Sequence, residues 1–432
     1  MRQCTSSFRL AADGKYGFFS ANRIISVHGA DMEAATSRRG RPKGSKNKPK
    51  AIGDLPLFHG LVSVQPSRPT KLVGAPVAAP AMSAAHALPM PEIFVKLAKP
   101  TPTQVFCTYW WFACERQNVF FRKIRNPEDE LLTEDETLRR HKFTNAYRAS
   151  DRVSQFLISN VIEVDDPLLR TPEEVFFRTM LFKLFNKIET WQLLEQAVGR
   201  IDWASYDLKQ YDQILSRAIN SGRRIYSAAY IMACPNFGFE RKHSNHLNLL
   251  ESMMERRLPD RLHQRKESLE YAFAQIRSFS GIGDFLAYQY TIDLNYGPLL
   301  AADEDDFIVP GPGALDGIRK CFSDIGDYSP ASVIKIACEM QNQAFEALGL
   351  NFLDLWGRKL HLIDCQNLFC EVDKYARVHH PDAKGRSDRT RIKQVYRPIP
   401  TPIQYRYPEK WGLHEKIAAD PGYNRHAGSV SG

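Results

Sequence analysis

Thr171-Pro172-Glu173-Glu174-Val175-Phe176-Phe177-Arg178-Thr179-Met180-Leu181-Phe182-Lys183-Leu184-Phe185-Asn186-Lys187-Ile188-Glu189-Thr190-Trp191 opens with a hydroxyl cap, a proline at the first helical position and two early carboxylates, the signals that start a helix. Val175, Phe176, Met180, Leu184, Ile188 and Trp191 follow at helical spacing, which predicts one helix running on toward Gly199. The same spacing continues outward in both directions. Further helices are expected at 144–162, 208–219, 247–257, 265–278, 284–295, 331–348 and 359–376, and alternating strand-like runs are rare. The fold class is therefore all-α, with a helical unit over 103–376. Apolar residues make up 43% of the 432, enough to bury a sizeable core and to exclude a wholly disordered chain.

The flanks differ in character. Residues 1–100 hold 15 Lys and Arg against 5 Asp and Glu, residues 373–432 hold 12 against 6, and the stretch between them is mildly acidic. A basic arm at each end of such a body suits a protein that holds a polyanion, with DNA the first candidate. The first hundred residues pass from a basic run at 38–50 to a Pro/Ala-rich linker from Pro66 to Pro102, and Met32 offers a second start for translation. Prolines at 381, 398, 400, 402 and 408 forbid long helices in the basic C-terminal extension, 377–432, which is expected to wrap the body or stay loose.

Arg38-Arg39-Gly40-Arg41-Pro42-Lys43 resembles an AT-hook. Gly40 and Pro42 hold a slender, extended backbone, and Arg39 and Arg41 suit the narrow minor groove of A·T-rich DNA, where negative potential concentrates. A disordered basic tail or nuclear-import signal is the plainer alternative. Phe279-Ser280-Gly281-Ile282-Gly283-Asp284 lies between two expected helices and reads as a helix-hairpin-helix, in which Gly281 and Gly283 permit a tight turn and free N–H groups hold a DNA phosphate. An ordinary interhelical turn would have the same sequence.

On a helix over 144–162, Asn145, Arg148, Arg152, Gln155 and Ser159 would share one face, with Asp151 beside it. Asparagine and paired arginines suit planar recognition of a phosphate or base, although such stripes are commonly just solvated. Arg178 and Asn186 interrupt the apolar run quoted above and need partners if buried, either as buttresses or as part of the same pocket. Gly311-Pro312-Gly313 makes a narrow loop or caps a helix beginning at Ala314, and Glu371 and Lys374 share a helical face at ion-pair spacing. His243 and His246 lack ligand neighbours and read as a loop feature.

Several classes are excluded. The sequence has no Gly-x-x-x-x-Gly-Lys-[Ser/Thr] phosphate-binding loop, no zinc-deaminase signature and no CxxC pair, so no metal site or cofactor is expected and the eight cysteines should be reduced thiols. No long apolar run or leader-like start occurs, which leads us to expect a soluble, intracellular, DNA-associated protein.

Phe143-Thr144-Asn145-Ala146-Tyr147-Arg148, Asp151-Arg152-Val153, the Phe182–Trp191 run, Ser280–Gln289, Gly311–Ala314 and Cys370-Glu371-Val372-Asp373-Lys374-Tyr375 together resemble the helical domain of phage 5-hydroxymethyluracil DNA kinases and of the related thymine-hypermodification pyrophosphorylases. That group is similar to helix-hairpin-helix DNA glycosylases. The resemblance implies a helical fold that grips DNA and acts on the 5-substituent of an extruded, modified pyrimidine. In that scheme Arg148, Arg152 and Arg178, with Lys374, neutralise phosphate, Asn145 and Asn186 orient the base, and Asp151 or Glu371 is the general base. Asp293, ten residues past Gly283, stands as a further catalytic candidate, or as a helix cap. A separately encoded P-loop kinase is the partner implied. A non-catalytic DNA-binding module and a glycosylase are the alternatives.

Overall fold

The computed structural model describes residues 97–423 apart from 127–128, 130, 229–231 and 400–402. The AT-hook at 38–50, the linker and Met32 lie outside the described residues. Helices dominate what is described, as the spacing requires. The longest of these, α1 (Gln104–Arg125), is absent from the expected set, although Thr103 caps it by accepting the Val105 N–H. Its apolar face sets the core. Tyr109 packs 4.5 Å from Phe369 and Trp110 5.2 Å from Phe345, ring centroid to centroid. These rings tie α1 to α12 (Pro330–Ala347) and α13 (Leu362–His379). A two-stranded antiparallel pair, β1 (Thr101–Pro102) with β2 (Phe322–Asp324), closes the end of this layer with Pro102 opposite Phe322.

Two expected helices are corrected. The run quoted first divides into α4 (Pro172–Phe185) and α5 (Ile188–Val198), because Asn186 takes a left-handed conformation with φ 48°. Asparagine tolerates that conformation where most side chains do not. The segment 144–162 is not one helix but a loop, a 3-10 turn at Arg148–Ser150, a short α3 (Arg152–Phe156) and a π-turn at Leu157–Ile162. Its polar side chains take the backbone away from helix geometry: the Asn145 amide donates to the Ser150 carbonyl, Gln155 donates to that of Ala149, and Asp364 accepts the Arg148 N–H. The stripe from Asn145 to Ser159 therefore does not share a face.

Elsewhere α6 (Leu208–Asn220), α9 (Leu269–Arg277) and α10 (Asp284–Leu294) follow the expected spacing, α7 (Lys242–Glu255) begins five residues before the expected 247, and α2 (Glu136–Arg140) and α8 (Leu258–Gln264) are further helices outside the expected set. The histidine pair belongs to α7, not to a loop. Both rings are buried, and His246, held by the Tyr226 hydroxyl and the Ala233 carbonyl, is pushed by burial down to about 4. The α9–α10 turn is tight at Gly281, where φ is +81° and a Cβ would come within 2.9 Å of the Pro235 backbone. The Gly-Pro-Gly opens α11 (Pro312–Cys321) two residues earlier than a start at Ala314 would.

α11 lies almost on the backbone of α13. A Cβ on Gly317 would sit 2.0 Å from the Phe369 carbonyl oxygen, and one on Gly313 would meet the Cys370 Sγ at 2.9 Å. Gly317→Ala must part the two helices and is expected to cost about 2–3 kcal/mol, near the upper end for overpacking, read from chemical denaturation. An unchanged midpoint would show that the helices separate freely.

The C-terminal extension is docked where it is described over 403–423. Tyr407 and Leu413 are buried, the Tyr407 hydroxyl meets Ser150, and the Arg358 guanidinium lies 3.6 Å from the centroid of the Trp411 ring before the short α14 (His414–Ala418). Among the described residues no helix is long and apolar enough to cross a membrane, no cluster could hold a metal ion, and seven cysteines are free thiols.

Candidate functional site

The loop before the Arg148–Ser150 turn builds a half-buried charged cluster against α1 and α13. Asp151 Oδ1 accepts the Asn145 N–H at 2.9 Å. Arg116, on α1, donates to the Asn145 side-chain oxygen at 2.9 Å and to the Thr144 carbonyl at 3.0 Å. The Thr144 N–H in turn donates to Glu371 Oε2 at 3.1 Å, and Lys374 Nζ stands 2.6 Å from the same oxygen. These bonds fix the loop from both sides, so Asn145 is held at its amide, its side-chain oxygen and its side-chain nitrogen.

The electrostatics follow from this packing. Burial pushes the Asp151 carboxyl up to about 7; the Asn145 N–H pulls against that, and neighbouring Glu371 adds to it. Arg116 and Arg148 are close enough to oppose the rise without cancelling it. Arg152 and Lys123 flank the cluster: burial lowers the Lys123 ammonium, as do the Arg152 and Arg116 charges. Arg116 bonds the loop and acts on Asp151, and Lys374 pairs with Glu371, so cations and carboxylates alternate through the cluster. Tyr405 of the C-terminal segment lies close enough to feel Asp151 and Arg152, and its hydroxyl is raised by burial first.

Arg148 points elsewhere, into a second, sealed cluster. Its guanidinium stands 2.7 Å from Asp293 Oδ1 and donates to Gln289 and Tyr296. Lys183 Nζ stands 3.1 Å from Asp293 Oδ2 and donates to Asn186 Oδ1 at 2.7 Å. Asp293 is fully buried. Burial drives its carboxyl up, yet Arg148 and Lys183 outweigh burial and hold it below the ordinary aspartate value. Such a carboxylate is an ion-pair centre, not a proton acceptor at neutral pH.

Arg178 joins neither cluster. It donates to the carbonyls of Asn160, Val161 and Ile201, and its guanidinium lies 5.2 Å from the Trp191 ring centroid. It buttresses the π-turn. The pocket expected from Asn145, Arg148, Arg152, Arg178 and Asn186 together is therefore divided: Asn145 and Arg152 stand by Asp151, Arg148 and Asn186 by Asp293, and Arg178 apart. Glu371 and Lys374 join the first group. Gly281 and Gly283 shape the turn that leads into α10, which carries Gln289 and Asp293.

Arg116 and Lys183 were not among the expected site residues. Lys183 carries the same signal as Arg178, a lone cation in an apolar run. Nothing in the sequence around Arg116 sets it apart from a solvated helix residue.

Residues 103–385 match the model of the helical domain of 5-hmdU DNA kinases. A 5-hmdU DNA kinase of Bacillus phage SP10 is 24% identical over 278 residues, covering 60% of this chain and 43% of that relative. The chain thus spans less than half of the relative's length. No solved structure matches. All residues of the two clusters from Arg116 to Lys374 fall inside the matched segment, which is well over half of the chain, and the chain belongs to the 5-hmdU DNA kinase helical-domain family.

Proposed function

We propose that this chain handles 5-hydroxymethyluracil in DNA and acts on its 5-substituent at the Asp151 cluster. The observation that carries this reading is the placement of the Asp151 carboxyl, half-buried beside Glu371 and Arg116 and accepting the Asn145 N–H, where burial pushes it up to about 7. A base that accepts a hydroxyl proton works best with a pKa near the working pH. In this scheme Asp151 takes the proton of the 5-hydroxymethyl group as its oxygen attacks an activated phosphorus. Arg116, Arg152 and Lys374 balance the phosphate charge, and Asn145 orients the base. Glu371 is the alternative base, and its Oε2 is already committed to Lys374 and the Thr144 N–H.

The sequence carries no P-loop, so the phosphoryl donor is a nucleoside triphosphate presented by a separately encoded kinase: the bond from the hydroxymethyl oxygen to the γ-phosphorus forms, the bond to the diphosphate breaks, and the nucleoside diphosphate leaves. The hairpin at Gly281–Gly283 and the basic arm at 38–50 add sequence-tolerant and A·T-directed contacts to duplex DNA. Nucleoside mass spectrometry tests the whole reading. DNA from cells that make 5-hydroxymethyluracil should gain a 5-phosphorylated pyrimidine when the chain is expressed together with a P-loop DNA-base kinase. The same nucleoside profile with and without the chain would sink it.

A further inference from the structure

We infer that the segment from Lys384 to Arg397 is a preorganised strap that binds the phosphodiester backbone of DNA and leads it to the Asp151 cluster. Lys384, Arg386, Arg389, Arg391, Lys393 and Arg397 stand within it against one carboxylate, Asp388. All six cations are exposed, and none makes an ion pair with a described carboxylate. Arg389 alone lies close enough to Asp316 to help hold that carboxyl down. A row of cations without acidic partners on a non-helical segment suits a regularly spaced polyanion better than it suits the fold. From Arg389 to Arg397 the chain reaches at most about 28 Å, which matches about eight base-pair rises of the duplex axis.

The strap is held in place by its backbone, which leaves the side chains free. At one end the buried Asp316 accepts the N–H groups of Arg386 and Ser387 at 2.6 and 2.9 Å, and the Ser387 hydroxyl at 2.6 Å. In the middle Arg377 donates to the Arg391 carbonyl at 3.0 Å. At the other end the Lys142 N–H donates to the Gln394 carbonyl and the Tyr396 N–H to that of Arg140. Tethering at three points lowers the ordering cost of binding.

Apolar residues are left outward beside the cations: Val395 is 62% exposed, Tyr396 39% and Ile399 50%. Tyr396 is near enough to affect Arg116 of the Asp151 cluster, and Lys374 stands 3.5 Å from the Gln394 side-chain oxygen. Cations tracking a backbone with an exposed aromatic ring among them match nucleic-acid binding. The family match ends at 385, so nearly all of the strap lies beyond it. That the polyanion is DNA rests on the function proposed above.

The test uses the full chain with Arg39→Ala and Arg41→Ala, so that the arm does not mask the strap, and a labelled duplex of ordinary bases. Affinity is measured across a salt series with and without the fourfold change Arg389→Ala, Arg391→Ala, Lys393→Ala and Arg397→Ala. The slope of log affinity against log salt is expected to become shallower by up to about 3.6, near 0.9 for each phosphate that is no longer neutralised. An unchanged slope overturns the proposal, as does a fourfold effect seen on phosphatidylserine vesicles and absent on DNA. Because the duplex holds no modified base, a failure of Asp151 chemistry leaves this result standing, and a failed strap leaves that chemistry untouched.

Discussion

Asp151→Asn is expected to lower turnover of 5-hydroxymethyluracil DNA by about 10²- to 10⁴-fold, the range typical for a lost general base, while making the protein more stable at pH 8. The two effects have one cause. Burial raises the carboxyl from 3.8 to about 7, so the folded protein keeps a proton that the unfolded chain has already released above pH 4. Ionised Asp151 therefore penalises the folded state as pH rises from about 4 to about 7, and the penalty is constant above that. Its ceiling is about 4 kcal/mol at about 1.4 kcal/mol per pH unit, and solvent screening of a half-buried group reduces it to a fraction of that. Asparagine keeps the oxygen that accepts the Asn145 N–H and removes the charge. The wild-type rate should climb through about pH 7 and level off, and the variant should lose that limb. A variant with the wild-type pH profile would remove Asp151 from the chemistry.

The sequence displays most of the helical architecture and only part of the site. Periodicity places α6, α10, α12 and α13 within a few residues, because each buries one apolar face at fixed spacing. It fails over 144–162, where apolar residues have helical spacing but Asn145, Asp151 and Gln155 bind backbone groups instead of solvent. A polar stripe on a helix and a polar loop folded on itself look alike in one dimension. Asn186 shows the converse: the interruption is visible at Phe185-Asn186-Lys187, but the bond from Lys183 to its side-chain oxygen ties it to Asp293, a partner more than a hundred residues away that the local sequence does not show. Asp151, Glu371, Asn145, Arg152 and Lys374 share a neighbourhood, whereas Arg116 reaches them only through the packing of α1 on the loop. Such long-range convergence has no local signature.

Asp293→Ala is expected to cost about 3–5 kcal/mol, the range for breaking a buried ion pair by removing one partner. Two buried cations, Arg148 and Lys183, would then lose the carboxylate that lies between them. The sign of the pH dependence follows from the lowered carboxyl. Its contribution is complete above the unfolded value of 3.8 and fades as pH falls through the lower folded value. The triple change Arg148→Met, Lys183→Met and Asp293→Leu removes all three charges and should recover much of the loss, since apolar replacement of a whole buried network is often neutral or better. Failure of the triple variant to refold would mean that the bonds to Gln289, Tyr296 and Asn186 carry the stability instead. The recovered protein also reports on Asp151. Arg148 normally opposes the rise of that carboxyl, so without it the Asp151 pKa must climb further and the activity limb should move above pH 7. A stable triple variant with an unshifted limb would show that the sealed cluster supports the fold alone and leaves the Asp151 proton to its own surroundings.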